Sequence, residues 1–348
     1  MNITAAVLSK IKKPLILNKG LKFVKLKRGQ VLVKILYSAI CRSQIMEING
    51  ERGKDKYLPH LLGHEGSGIV EKIGAGVKKV SPGNKVFLSW IKGKGIDSGG
   101  TKLKDKNNKT INAGPITTFS NYSIISENRC FKIPKKFPIK ESVIFGCAIP
   151  TGAGIVLNEA KPKTQDKVCI IGLGGVGLSA LMACKMLKIK NVTVIDIDKK
   201  KLSIAKKVGY KKNIIFKNIK DANTKVAYYN KRQLFDYTIE STGKSSSIEF
   251  AFSITKKFGG NCFFASHPDY HSLIKIKPFD LISGKNIYGT WGGASDPQKV
   301  ANKMAEFFLK NKNFLKLYFS KEYSLKNINK AIIEFKNKSL IKPLIINH

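Results

Sequence analysis

The sequence predicts an α/β protein built from a compact β domain and a doubly wound parallel sheet. Three observations carry this. Up to about residue 150, short apolar stretches are separated by turn residues. Beyond Pro150-Thr151-Gly152, strand-like runs alternate with helical ones, the pattern of parallel sheets. A glycine-rich loop joins the first of those strands to its helix. At 348 residues the chain is long enough for two domains with buried cores.

In chain order, "QVLVKILYS" alternates Val31, Val33, Ile35 and Tyr37 against Leu32, Lys34 and Leu36, as a partly buried strand does. "GSGIVEKIGAGVKKVSPGNKVFLSW" reads as two or three strands turned at Pro82-Gly83-Asn84. "DKVCIIGLGGVG" is a buried strand entering the glycine loop, and "LSALMACKMLKI" is its helix. "NVTVIDID" follows as a strand and "KKKLSIAKKVG" as a helix ending at Gly209. "FDYTIESTG" and "GGNCFFAS" continue the alternation. From about residue 291 the chain turns helical, with Asp296-Pro297 as a helix start and Val300, Met304, Phe307 and Phe308 on one face. Ile328, Ile332 and Phe335 repeat the spacing, and "LIKPLIIN" makes a closing strand. The uncharged stretch Val168 to Cys184 approaches membrane-span length, but the glycines at 172, 174, 175 and 177 break it into strand, loop and helix.

The formal charge of +40 invites a nucleic-acid reading. Arginine supplies the bidentate contacts such binding needs, and there are five arginines against 58 lysines. The lysines spread along the whole chain among isoleucine and asparagine, the bias of an AT-rich genome. No specific nucleic-acid partner is expected, although the charge favours anionic substrates through long-range attraction. "MNITAAVLSKIKK" lacks the apolar run of an export signal, so a cytoplasmic protein with free cysteines at 41, 130, 147, 169, 184 and 262 is expected. In such a setting, metal binding or core packing is the better default for them.

Gly172-Leu-Gly174-Gly175-Val176-Gly177 matches G-x-G-x-x-G between a strand and a helix, and Asp196 closes the next strand. That context fits a dinucleotide site. Gly172 permits the turn, Gly174 lets the backbone approach a pyrophosphate, and Gly177 allows close packing. The helix start presents free N–H groups to phosphates. Asp196 suits the ribose hydroxyls and opposes a 2′-phosphate, favouring NAD over NADP, although Lys199 to Lys201 weaken that preference.

Soft ligands near the front of the chain are few. Cys41 lies in "AICRSQIME", His64 and Glu65 lie between glycines in "LLGHEGSG", and Cys147 lies in "FGCAIPTGAG". Each alone reads equally as a core or loop residue. Together, Cys41, His64 and Cys147 form a Cys₂His set with an open fourth position, which zinc catalysis needs. Cys130, Cys169, Cys184 and Cys262 read as non-functional, the last three as small core hydrophobes.

"CRSQ", "GHEGSGIVEKIGAGVKKVSPGNKV", "GCAIPTGAG" and "GLGGVG" occur in the order and spacing of the zinc-containing medium-chain alcohol dehydrogenases, and the sequence resembles that family over nearly its whole length. The resemblance implies a GroES-like β domain over 1–151, completed by 291–348, around a Rossmann domain over 152–290. It implies that Cys41, His64 and Cys147 hold one catalytic zinc, with Glu65 as a carboxylate that approaches the metal. Ser43 takes the place of the hydroxyl that receives the alcohol proton. Arg42 and Lys342 take places that meet cofactor phosphates, and Thr151 falls on the nicotinamide side, while Lys201, shortly after Asp196, is a cofactor-binding candidate from its position beside the adenosine end. A small alcohol or carbonyl substrate, NAD and a homodimer or homotetramer follow from the same resemblance.

The sequence departs from the family in three places. Gln44 replaces the usual aspartate, making the site more positive. Met46 replaces the relay histidine found in some members, so proton release falls to Ser43, ribose hydroxyls and water. No cysteine occurs between Cys41 and Cys130, so no structural zinc is expected. "WIKGKGIDSGGTKLKDKNNKTINAG" fills that region and is expected to shape the substrate mouth. A zinc-free reductase of the same fold and a basic anion-binding protein on this scaffold are the alternatives.

Overall fold

The computed structural model describes residues 2–23, 25–229, 233–337 and 340–347. The chain divides into two compact units, Met1–Cys147 with Asp296–His348, and Ala148–Ser295.

The first unit contains two sheets. One has five strands in the order Ile16–Leu21, Ile3–Leu8, His60–Leu61, Thr110–Gly114, Thr101–Lys104. The other runs Cys130–Lys132, Lys85–Ser89, Glu65–Ile73, Gln30–Ala39, Lys342–Ile346, Phe319–Ser324, and Tyr122–Ser126 also pairs with Gln30–Ala39. The central strand Gln30–Ala39 is more deeply buried than its alternating pattern suggests. Val31, Val33 and Ile35 face one core cluster and Leu32 faces another. Each such side chain contributes roughly 1.5–3 kcal/mol, enough together to hold the register. That register pairs Leu344 with Ala39, delivering the start of the C-terminal strand to the segment just before Cys41.

Arg42–Asn49 is a helix that the residue pattern does not announce, because only eight residues carry it. It starts from an extended Cys41 and stops at Gly50, whose φ of 74° lets its N–H return to the helix. Ile45, Met46 and Ile48 face the core, as does Gln44. The lobe after Trp90 is a β structure, including the hairpin Thr101–Lys104 and Thr110–Gly114. Its hub is Glu127, whose carboxylate accepts the N–H groups of Lys78, Lys79 and Ile96. Burial pushes this carboxyl up, but the three donors outweigh that and hold it low. The helix Pro297–Lys310 begins as expected, with Asp296 accepting from the N–H groups of Gln298 and Lys299.

The second unit is one parallel sheet with strands β1 (Lys167–Ile171), β2 (Asn191–Asp196), β3 (Asn213–Ile215), β4 (Tyr237–Glu240), β5 (Asn261–Phe264) and β6 (Asn286–Gly289). Their order is β3-β2-β1-β4-β5-β6. The order reverses between β1 and β4, so ligands are expected beyond the carboxyl ends of these strands. β3 and β6 have no clear signal in the sequence, being short and polar at their ends. Val168, Cys169, Ile170 and Ile171 are all fully buried, as a central parallel strand requires. Among the described residues no helix is long and apolar enough to cross a membrane.

Candidate active site

In the first unit, Cys41, His64, Glu65 and Cys147 converge, with one potential ligand atom from each lying within 4.8 Å of the others. Three elements bring them there: the N-cap of the short helix, the entry to strand Glu65–Ile73, and the residue after the 3₁₀ helix Glu141–Gly146. Close packing at Gly146 helps, because a Cβ there would fall 2.4 Å from the Leu88 carbonyl oxygen and 2.6 Å from Glu65 Cβ.

The donor set fits zinc. Two sulfurs about 2.3 Å from a tetrahedral ion lie about 3.8 Å apart, and the Sγ atoms of Cys41 and Cys147 are 4.0 Å apart. His64 turns Nδ1 toward Gln44 and leaves Nε2 buried without a partner. Glu65 Oε2 is likewise buried and unpartnered. Hydrogen bonding from Cys147 holds the Cys41 thiol well below its ordinary range, while the same contact pushes Cys147 up. One proton shared between the two sulfurs accounts for both directions.

Around this cluster, Lys342 is buried and its ammonium pairs with Glu65. Burial opposes its charge, but Glu65 and the two thiols outweigh it and hold the lysine protonated. Burial raises Glu65, and Lys342 pulls it back. The resemblance places Lys342 among cofactor-phosphate contacts. Its ammonium lies against Glu65 beside the two thiols. Ser43 Oγ lies 3.5 Å from His64 Nδ1, and Arg42 is exposed on the first turn of the helix. Trp90 stands beside the site, its ring centroid 6.5 Å from that of His64. Lys92 is engaged elsewhere, in a 2.6 Å ion pair with Asp97.

The glycine loop lies in the second unit. Gly172 has φ 86°, and a Cβ on Gly177 would fall 1.9 Å from the Gly172 carbonyl oxygen. A Cβ on Gly174 would meet nothing within 4 Å. The loop therefore needs glycine at 172 and 177 to fold, and Gly174 faces open space that a pyrophosphate fits. Gly175 and Val176 open the helix Gly175–Met186, whose first N–H groups have no helical partners. Asp196 is buried at the end of β2 and accepts from Leu173 N at 2.6 Å and Asp198 N at 2.9 Å. Lys201 lies on the first turn of the next helix. Thr151 is buried with Oγ1 unpartnered. Its neighbour Gly152 lets the two helices meet, since a Cβ there would sit 2.0 Å from the Val176 carbonyl oxygen.

Glu240, at the end of β4, is a buried carboxylate that the sequence alone does not single out. It accepts from Thr242 N and Oγ1 and from Gly243 N, fixing the turn beyond the strand. Burial pushes its carboxyl up to about 7. The signal in "ESTG" is a carboxylate ending an apolar strand. His267 is exposed, with its ring centroid 6.1 Å from that of Trp291. Cys130, Cys184 and Cys262 are buried thiols, each pushed by burial up to about 12, and Cys169 is also raised by burial.

Comparison with known proteins matches residues 27–135 to the alcohol dehydrogenase GroES-like domain and residues 175–310 to the zinc-binding dehydrogenase domain. The chain belongs to the zinc-dependent medium-chain alcohol dehydrogenase-like family. Within this oxidoreductase family it is 29% identical to an alcohol dehydrogenase class-3 of Drosophila melanogaster, covering 94% of this chain and 93% of that one. It superposes on the benzyl alcohol dehydrogenase of Acinetobacter calcoaceticus with TM-score 0.85 at 25% identity, over 100% of both chains. An alcohol dehydrogenase zinc-binding domain protein from Burkholderia ambifaria shares the fold, with TM-score 0.89 at 24% identity over 100% of both.

Proposed function

We propose that this protein interconverts an alcohol and its aldehyde or ketone, using NAD and one zinc ion held by Cys41, His64 and Cys147. The observation that carries the reading is the convergence of two thiols, an imidazole and a carboxylate, with His64 Nε2 and Glu65 Oε2 buried and unpartnered. When bound, zinc supplies a Lewis acid for the substrate oxygen and NAD supplies the hydride acceptor.

The chain's own residues do the rest. Ser43 Oγ receives the alcohol proton, as a hydroxyl that can accept and donate in turn. Met46 is buried and carries no proton, so the proton leaves through Ser43 and water. Lys342 offsets part of the negative charge of Glu65 and the thiolates. Gly172, Gly174, Gly175, Val176 and Gly177 hold the pyrophosphate, and Lys201 adds positive charge at the adenosine end. Asp196 orients the ribose and opposes a 2′-phosphate, and Thr151 supports the nicotinamide end. The charge of +40 favours an anionic substrate. The outer edge of β6, with Phe279, Ile282 and Tyr288 exposed near it in sequence, supports a homo-oligomer.

The test is metal analysis of the purified protein beside a turnover panel of short alcohols, polyols, sugar derivatives and thiol–aldehyde adducts, each with NAD and NADP. About one zinc per chain and NAD-dependent turnover are expected. Turnover without metal would replace this reading with the zinc-free reductase.

A further inference from the structure

The hydrogen bonds around Gln44 bear on how tightly a metal is held, an inference that rests on the zinc site proposed above. Gln44 is buried, only 1% exposed. Its Oε1 accepts the Cys41 N–H at 2.9 Å, and its Nε2 lies 2.5 Å from His64 Nδ1. A carboxamide offers one acceptor oxygen and one NH₂ group. Turning it over would set the NH₂ against the Cys41 N–H, donor against donor. In the orientation that satisfies Cys41, the NH₂ donates to Nδ1, which must offer its lone pair. The proton of the neutral ring then sits on Nε2, the nitrogen that is buried without a partner.

Ligation through Nε2 needs the opposite arrangement, with that lone pair free and Nδ1–H donated to an acceptor. A carboxylate at this position would accept from both Cys41 N–H and His64 Nδ1–H. Gln44 can serve only one. Ser43 Oγ, at 3.5 Å from Nδ1, is too distant to replace it well. We infer that Gln44 is a positioning residue that holds His64 in the tautomer opposed to zinc, so that this site exchanges its ion more readily than a carboxylate-backed one. Binding moves the ring proton from Nε2 to Nδ1 through solvent, and leaves one N–H near Gln44 facing another donor.

The test compares zinc affinity, by chelator competition, for the wild-type chain, Gln44→Glu, Gln44→Met and Cys147→Ser, alongside ¹⁵N-histidine NMR of the zinc-free protein. Gln44→Glu is expected to bind zinc roughly 10–100-fold more tightly, the usual scale for such outer contacts. Gln44→Met should bind at least as tightly as wild type, because it removes the opposing amide. The zinc-free wild type should show His64 protonated on Nε2. Unchanged or weaker binding by a Gln44→Glu chain that melts like wild type would overturn the inference. So would weaker binding by Gln44→Met, or an Nδ1–H signal, and these two readouts decide the matter if Gln44→Glu fails to fold. Cys147→Ser separates the two levels. If it loses zinc while the Gln44 variants change nothing, the site stands and this inference falls. If it holds zinc like wild type, the site assignment itself falls.

Discussion

The Cys41–His64–Cys147 cluster and the glycine loop prepare for their ligands in opposite ways. The cluster is built from side chains, and its groups conflict: two thiols share protons unequally, and His64 Nε2 and Glu65 Oε2 lack partners. The loop is built from backbone, and its geometry is complete, with the Gly172 turn set and Asp196 held by the Leu173 and Asp198 N–H groups. A site made of side-chain charge needs its ion to settle it. A site made of peptide N–H groups is already in its working shape.

The largest effect should come from the cluster. Cys41→Ser or His64→Ala is expected to abolish zinc binding and lower turnover by at least about 10²–10³-fold, the scale of losing one transition-state charge stabiliser. Metal analysis and steady-state rates check it, and full activity in a zinc-free variant would remove the contrast altogether.

Next come the two glycines, which should part company. Gly177→Ala forces a Cβ against the Gly172 carbonyl and is expected to cost about 1–3 kcal/mol or more of stability, seen as a lower melting temperature. Gly174→Ala has room and an ordinary φ of −81°, so the fold should be unchanged. Its methyl group would instead meet the cofactor, weakening NADH binding about tenfold, or about 1.4 kcal/mol. Equal stability losses in the two variants would show that Gly174 serves the fold alone.

Glu240 sharpens the comparison within the second unit, because its buried carboxyl is raised to about 7. Between the usual carboxylate range and about pH 7 the folded state holds a proton that the unfolded state has lost. Stability linked to this group is therefore full at acid pH and falls as pH rises through about 7. The fall in that window reaches roughly 1.4 kcal/mol per pH unit for one such proton. Glu240→Gln should flatten that part of the stability–pH profile relative to wild type. Parallel profiles would refute it.

The smallest effects concern the lobe. Trp90→Ala, beside His64, is expected to raise KM for bulky substrates a few-fold, roughly 1 kcal/mol of lost contact. Lys92→Ala breaks only an exposed ion pair, worth about 0.2–1 kcal/mol, and should leave kinetics nearly unchanged. Identical kinetics in wild type and Trp90→Ala would remove the lobe from the substrate mouth.

Much of the α/β fold is legible because local patterns encode it. The run Val168–Ile171 could only be a buried strand, and Asp296-Pro297 could only begin a helix. The helix Arg42–Asn49 is hidden by its brevity, and β3 and β6 by polar residues at edges, where packing and not periodicity decides. At the site, residue type and the resemblance together point to Cys41, His64 and Cys147, while nothing in the sequence announces the partner of Lys342. Its ammonium faces Glu65 across a sequence separation of 277 residues, set by strand register.

The sequence by itself determined the glycine loop, since φ and close packing at Gly172 and Gly177 are properties of single residues and their neighbours. It also determined which side chains could hold a soft metal. Only the tertiary structure decided that Lys342 pairs with Glu65 and that one amide oxygen at Gln44 must choose between Cys41 and His64. Those outcomes depend on distances between segments remote in the chain, and hydrogen bonds and ion pairs are decided by tenths of an ångström that no local pattern records.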